Sequence, residues 1–284
     1  MSVRSDDLRS SVSAFERAKA EGRGALVGYL PVGYPSVPGS LVALKALCGD
    51  GGDGPGVDLV EIGLPYSDPM MDGPVIQRAG TRALQRGVRT RDVFDAVEAV
   101  RSTGTPAVVM TYWNLVDRYG VEAFARDLAA AGGSGLITPD LIPDEADEWL
   151  AASEAHGLDR IFLVSPSSTD DRIVATTEAC RGWVYATSVM GVTGTRSASP
   201  TAAPELVARI RRLSPATPVG VGLGVSNGDQ AADVTAYADA VIVGSAFIKP
   251  LLAAEDAGHP EDLSGMRAVL ADLAGGVRRV RQQG

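Results

Sequence analysis

Short apolar runs alternate with longer segments of mixed polarity along most of the chain. Eight runs bounded by turn residues lie at 25–30, 57–63, 107–111, 134–138, 161–165, 183–187, 217–222 and 239–243. Several of them lack polar alternation, which is typical of parallel strands covered on both faces. Helix-length segments lie between them, for example at 120–131, 144–156, 201–213 and 228–237. Eight strand-then-helix units predict an α/β fold, a single closed (β/α)8 TIM barrel.

Some helix boundaries can be read from capping residues. Asp144 precedes the pattern at 145–156, and Asn227 precedes the one at 228–237, so both are candidate N-caps. An extra N-terminal helix is expected at about 9–21, where it could plug the barrel floor. The 284 residues contain no linker or repeat, so we expect one domain spanning 1–284.

Composition and charge narrow the possible partners. The net charge of −9 argues against a nucleic-acid partner, although backbone amides can still bind a small anion. No stretch approaches 18 consecutive apolar residues, and the first 22 residues lack the apolar core of a signal peptide, so we expect a cytoplasmic protein without membrane contact. Cys48 and Cys180 are far apart, and the two histidines are isolated, so no metal site is predicted.

Two carboxylates mark the end of the second apolar run. Glu61 ends this run, where an unpaired charge is costly, and a loop rich in proline and glycine then returns Asp72 toward it. An ordinary charged surface loop is the alternative. Because catalytic acids of β/α barrels lie at the C-terminal ends of strands, the pair is a candidate for acid–base chemistry.

Glycine-bearing turns follow the last strands of the predicted barrel. They include Gly194, Gly224 and Gly244, and Ser245 adds a hydroxyl. Loops after strands seven and eight of such barrels commonly bind phosphate, because glycine lets backbone amides approach the oxygens. A single Gly-x-Gly would indicate only a turn. The segment 188–200 is small, polar and rich in glycine, and we interpret it as a lid, with a passive linker as the alternative.

At this point the chain resembles the tryptophan synthase alpha subunit family, from about residue 14 to 280. The most specific strings are VEIGLPYSDP at 60–69, DGP at 72–74 and MGVTG at 190–194. Supporting strings are YLP at 29–31, MTYWN at 110–114, PDL at 139–141 and GLGVS at 222–226. The resemblance implies a carbon–carbon lyase of tryptophan biosynthesis that splits indole-3-glycerol phosphate into indole and glyceraldehyde 3-phosphate by a retro-aldol reaction.

The resemblance also implies roles for individual residues. Glu61 would transfer protons, and Asp72 would accept the indole N–H. The substrate-binding residues would be Tyr29, Ile76, Met110, Tyr112, Leu163, Tyr185, Thr193 and Leu223. The phosphate-binding residues would be Gly194, Gly224, Gly244 and Ser245. The loop residues Ser67, Asp68 and Pro69 would contact a beta subunit in an α2β2 heterotetramer. No cofactor is implied for this chain, and pyridoxal phosphate is expected only on the beta partner.

Three other interpretations stay open from the sequence. The chain could be a stand-alone indole-releasing lyase of specialised metabolism, or a weakly active regulatory subunit for its partner. It could also be another phosphate-binding barrel such as phosphoribosylanthranilate isomerase, which would share the late glycines but not the segment from Glu61 to Asp72.

Overall fold

The computed structural model describes residues 10–52, 54–187, 201–222 and 224–279. The described strands are β1 Ala25–Pro31, β2 Leu59–Gly63, β3 Ala107–Met110, β4 Gly135–Ile137, β5 Asp159–Ile161, β6 Leu163–Val164, β7 Val184–Thr187, β8 Val219–Gly222 and β9 Ala240–Val243. They form one parallel sheet in the order β5-β4-β3-β2-β1-β9-β8-β7-β6.

Helices surround this sheet on its outer side, as expected for apolar strands covered by helices. The described helices are α1 Val12–Ala20, α2 Val37–Leu47, α3 Pro74–Gln85, α4 Asp92–Arg101, α5 Trp113–Tyr119, α6 Val121–Ala130, α7 Asp147–His156, α8 Asp170–Ala179, α9 Ala202–Leu213, α10 Gly228–Tyr237, α11 Ser245–Asp256 and α12 Ser264–Val277. A 3-10 turn, Pro143–Glu145, precedes α7. Within the described ranges, no helix has both the length and the apolar character that crossing a membrane requires.

The sheet closes because its two ends are parts of one stretch of chain. β5 pairs with β4, and β6 pairs with β7. Only Phe162 separates β5 from β6, and its carbonyl accepts the Tyr185 N–H at 3.0 Å. Counting 159–164 as one interrupted strand gives eight strand positions, which confirms the predicted TIM barrel. This stretch begins two residues earlier than the predicted run 161–165. The prediction left out Asp159 because the residue is polar, although it is only 1% exposed in the structure.

The N-terminal helix α1 closes the floor of the barrel, as predicted. Ala14, Phe15 and Ala18 of α1 pack on the residues that fill the barrel interior. The rings of Phe15 and Trp183 lie 5.3 Å apart. Polar contacts hold the N-terminus of α1. Asp159 accepts hydrogen bonds from the N–H of the N-cap residue Ser11 at 2.7 Å and from the Ser11 hydroxyl at 2.6 Å.

One of the two predicted N-caps is confirmed, and one is wrong. The side chain of Asn227 accepts the Gln230 N–H at 2.9 Å, and α10 begins at Gly228. Asp144 does not cap α7, because it lies within the 3-10 turn and the α-helix begins only at Asp147. The prediction that all 284 residues form a single domain stays a prediction.

Candidate active site

The candidate site is the layer of the barrel interior nearest the C-terminal ends of the strands. Side chains alternate along a strand, so Glu61 points the same way as Leu59, and Tyr185 points the same way as Trp183. Leu59 and Trp183 belong to the interior cluster. The partly buried side chains packed on this cluster are Met110, Leu163 and Tyr185. Tyr29, Glu61, Met110, Leu163 and Tyr185 thus lie in a layer above the apolar interior.

Glu61 is a buried acid without full hydrogen bonding. The residue is 2% exposed, and in the described part of the chain its Oε2 atom has no hydrogen-bond partner. Burial, together with the charge of Asp72, raises the pKa of Glu61 to about 8. A buried carboxyl group with such a pKa is protonated at neutral pH and can both donate and accept a proton.

Asp72 lies in the loop between β2 and α3, just before the helix begins at Pro74. Hydrogen bonds hold the loop: among them, the Met71 N–H donates to the Tyr112 hydroxyl at 2.9 Å, and the Gln77 side chain donates to the Asp72 carbonyl at 2.8 Å. Burial raises the pKa of Asp72 to about 6. Near neutral pH the site therefore contains one protonated acid and one ionised acid, which is the division of roles that acid–base catalysis uses.

A small space adjoins Asp72. It is lined by a mixture of aromatic, aliphatic and polar residues, namely Tyr29, Leu64, Asp72, Met110, Thr111, Tyr112 and Pro139. Tyr66 stacks on Tyr112, with ring centroids 4.9 Å apart. Aromatic rings beside one carboxylate suit a flat aromatic ligand that carries a single N–H donor.

The side chains of Tyr29 on β1 and Tyr185 on β7 pack against glycines of the neighbouring strands β2 and β8. A Cβ atom at Gly63 would lie 2.2 Å from the Tyr29 hydroxyl oxygen, and one at Gly222 would lie 2.3 Å from that of Tyr185. Burial raises the pKa of both tyrosines, and the charges of Glu61 and Asp72 raise it further. The two rings therefore belong to the same site as the acids.

The turns after β8 and β9 lie on the same rim of the barrel. These strands pair in register, with Gly222 opposite Ile242. Gly224 is exposed with a φ of +68°, a conformation that favours glycine. Gly244 directly precedes α11, which begins at Ser245. Exposed backbone next to a helix N-terminus is a suitable site for an anion.

Comparison with known proteins places this geometry in a family. The family model described as tryptophan synthase alpha chain matches residues 15–272. The tryptophan synthase alpha chain of Acidothermus cellulolyticus is 59% identical over 95% of this chain and 98% of its own length. That of Mycobacterium avium is 58% identical, with 98% of both chains covered. The chain belongs to the tryptophan synthase alpha chain family.

Solved structures agree with this family. A structure of Mycobacterium tuberculosis tryptophan synthase is similar with a TM-score of 0.86 and 58% identity, over 95% of this chain and 99% of that one. A mutant alpha subunit from Pyrococcus furiosus is similar with a TM-score of 0.79 and 30% identity, over 89% of this chain and 99% of that one. The resemblance seen in the sequence and the predicted class, a carbon–carbon lyase of tryptophan biosynthesis, are confirmed. None of the three alternative interpretations is favoured.

The alpha chain site contains residues that sequence reasoning did not single out. Leu64, Thr111 and Pro139 line the space beside Asp72. Thr111 and Leu64 directly follow β3 and β2. Leu64 and Pro139 directly follow predicted strands and Thr111 ends one, and these positions were a signal that could have identified them.

Other predicted site residues lie elsewhere or outside the described chain. Ile76, in the first turn of α3, is half-buried against the outer core between helices and strands, and it is not among the residues lining the space. Ser67 and Asp68 are exposed, and the Ser67 hydroxyl donates to Asp68 at 2.6 Å. Pro69 is half-exposed. Thr193, Gly194 and Leu223 lie outside the described residues. The roles predicted for all these residues stay predictions.

Proposed function

We propose that this chain carries out the alpha reaction of tryptophan synthase with Glu61 as its proton-transfer group. The reaction cleaves indole-3-glycerol phosphate to indole and glyceraldehyde 3-phosphate, as family membership supports. The observation that carries the residue assignment is the buried carboxyl group of Glu61, which has one unpartnered oxygen and a pKa raised to about 8 by burial and by Asp72.

In the proposed steps, the single carboxyl group of Glu61 donates one proton and later accepts another. Protonated Glu61 donates its proton to C3 of the indole ring, which becomes a cationic indolenine. The resulting carboxylate then accepts the proton of the glycerol hydroxyl while the bond between C3 and the glycerol chain breaks. The electron pair of that bond restores the aromatic ring, the former hydroxyl becomes the aldehyde, and Glu61 is again protonated.

Asp72 would stabilise the charge that builds up on the ring. An ionised carboxylate can accept the indole N–H and is most useful when that nitrogen becomes positive. Burial raises the pKa of Asp72 only to about 6, so the group is ionised at neutral pH. Tyr29, Met110 and Tyr112 would form the apolar wall, since they line the same space.

Phosphate would bind at the rim formed by Gly224, Gly244 and Ser245. Because α11 begins at Ser245 and has twelve residues, its N-terminal amides favour an anion. This region lies after strands adjacent to β1, which carries Tyr29. A substrate with an indole at one end and a phosphate at the other could therefore bridge the two parts of the site.

The proposed steps use side chains and backbone amides alone, and we expect pyridoxal phosphate only on the beta partner. We also expect the chain to act in the cytoplasm, in an α2β2 assembly with that partner. The exposed loop with Ser67 and Asp68 joins β2, which carries Glu61, to Asp72, so partner contact there would reach both acids. Separate migration of this chain and a cognate beta chain on gel filtration would contradict the assembly.

The deciding experiment follows indole release from indole-3-glycerol phosphate by the wild type and by Glu61→Gln. We expect the variant to lose at least about a hundredfold in kcat, the low end of a general acid–base contribution. Glu98→Gln is the control, because Glu98 is an exposed glutamate on α4. Equal rates for wild type and Glu61→Gln would remove Glu61 from its role.

A further inference from the structure

A charged cluster joins α3 and the loop after β1 to the C-terminal end of α11. We call it the α3–α11 clamp, and its members are Tyr34, Arg78, Arg82, Arg86, Glu255 and Asp256. Arg78 and Arg82 on α3 and Arg86 at its C-cap are spaced four residues apart and so share one face of the helix. Arg78 contacts both carboxylate oxygens of Asp256 at 2.7 Å, and Arg82 contacts the same group at 2.8 Å.

Glu255 is the centre of the clamp. Its side chain is 13% exposed, and both Arg82 and Arg86 donate to its carboxylate. The Tyr34 hydroxyl also donates to it, at 2.6 Å, and Tyr34 itself is 1% exposed. Because this carboxylate is shielded from water and has several partners, removing its charge would leave two guanidinium groups without their shared anion.

Both helices of the clamp lead to the candidate site. α3 begins two residues after Asp72, and α11 begins at Ser245 on the rim expected to bind phosphate. Each has twelve residues, which corresponds to about 18 Å at the usual rise of a helix. The two helices contact each other, and both contact β1, which carries Tyr29. The contacts of Glu255 with Arg82 and Arg86 therefore tie together the C-terminal parts of two helices whose N-terminal ends border the two halves of the site.

We propose that Glu255 is a positioning residue that fixes the distance between Asp72 and the phosphate rim. The inference rests on the proposed function, because only a substrate that bridges both halves needs that distance. Catalysis is sensitive to small errors in placement: a misplacement of about 1 Å can cost about a hundredfold in rate. Loss of the clamp should impair ligands that span the site and leave ligands that use one half unaffected.

The test compares the wild type with Glu255→Gln and the milder Tyr34→Phe. For Glu255→Gln we expect kcat to fall by about threefold to tenfold, well short of the loss that direct contact with the reacting atoms would give. Binding of a non-cleavable indolyl-alkyl phosphate, measured by calorimetry, should weaken by a similar factor. Binding of glyceraldehyde 3-phosphate, which occupies only the phosphate half, should stay within about twofold. Tyr34→Phe should show the same pattern with a smaller effect.

Tyr119→Phe is the matched control, since the Tyr119 hydroxyl donates to Asp127 at 2.7 Å and links α5 to α6. Tyr119→Phe should leave the binding of both ligands unchanged. Equal weakening of both ligands by Glu255→Gln, or no weakening of either, would overturn the inference. If Glu255→Gln does not fold, the same comparison for Tyr34→Phe decides. A wild type that releases no indole would contradict the proposed function alone, because the comparison of the two ligands does not depend on turnover.

Discussion

Glu61 and Asp72 are both carboxylic acids, yet their surroundings give them different protonation states. Glu61 is almost fully buried inside the barrel, whereas Asp72 is half-buried in the loop that follows β2. Burial is the largest cause of the raised pKa in both groups, and the charge of Asp72 adds to it for Glu61. In the proposed mechanism, this pair of similar residues serves as a proton donor and a fixed anion at the same pH.

The first prediction concerns the pH dependence of kcat/KM, which we expect to be bell-shaped between about 6 and about 8. Below the lower value Asp72 gains a proton and loses the charge that supports the cationic ring. Above the upper value Glu61 loses the proton that C3 must receive. The measurement is kcat/KM from pH 5 to 9.5 for wild type and Asp72→Asn, with the acidic limb absent in the variant. A wild-type profile that is flat across this range would contradict the assignment.

The second prediction concerns stability at the same residue. Because the folded pKa of Glu61 is about 8 and the ordinary value is 4.5, the folded state binds more protons between these values, and wild-type stability falls as the pH rises through them. Glu61→Gln removes the ionisation, so we expect the variant to be more stable than wild type by a few kcal/mol at pH 8.5, and by much less at pH 5.

Urea unfolding at the two pH values measures this difference, with Glu98→Gln as a control on an exposed position. An equal stability difference at pH 5 and pH 8.5 would mean that Glu61 does not titrate as proposed. A variant that is stabilised but inactive would show that the burial of this acid serves catalysis and not folding.

The strand ends hold the two tyrosines through close packing on glycine. The third prediction is that Gly63→Ala lowers kcat/KM by at least about tenfold, since an added methyl group would overlap the Tyr29 ring and small misplacements in a site are costly. Gly275→Ala is the control, because Gly275 is exposed on α12 and a Cβ atom there meets nothing within 4 Å. The assay is indole release, combined with thermal melting to separate site damage from unfolding.

Unchanged turnover in a folded Gly63→Ala protein would show that the orientation of the Tyr29 ring is unimportant. If melting shows instead that the variant is largely unfolded, Gly63→Ala says nothing about the site, and Tyr29→Phe then tests the hydroxyl that lies against Gly63 without crowding the strand.

The order of strands and helices could be predicted from the sequence because it follows from local apolar pattern. The predicted helix at 228–237 matches α10 without error, since its Asn227 cap is a local signal. The start of the fifth strand was missed, because Asp159 looks like a surface residue until α1 supplies its hydrogen bonds. Such partners are distant in sequence, so local pattern does not reveal them.

The same reasoning explains the outcome at the candidate site. Glu61 could be found because an acid that ends an apolar run is unusual. The packing of Tyr185 on Gly222 depends on which strands become neighbours, and this appears only in three dimensions. The family resemblance implied roles for residues that pattern alone leaves ambiguous, such as Met110 and Leu163, and these roles stay predictions.

In a barrel of this kind, the residues for catalysis lie at the C-terminal ends of the strands, and residues important for stability lie at the N-terminal ends. Asp159 belongs to the floor, where it binds Ser11 beneath the apolar interior. The fourth prediction is that Asp159→Ala lowers the free energy of unfolding by about 2–4 kcal/mol through loss of buried hydrogen bonds, with kcat within about twofold of wild type. Urea unfolding and indole release at a temperature well below the melting point measure the two quantities.

Asp233→Ala is the control for this prediction, since Asp233 is an exposed aspartate on α10 and should leave both quantities unchanged. A large loss of kcat in a folded Asp159→Ala protein would show that the floor communicates with the catalytic end of the barrel. An unchanged free energy of unfolding would show that α1 is not held by this aspartate.

Residues 159–164, interrupted only at Phe162, supply both the first strand and the last strand of the sheet, β5 and β6. An open sheet would end on two strands with free amide and carbonyl groups, each able to pair with the same strand of another molecule. Because residues 159–164 use both sides for neighbours in the same molecule, the described sheet offers no such template for aggregation. Closure of the sheet therefore removes the need for a separate element to cover a free edge, and the rim of the barrel stays available for ligands.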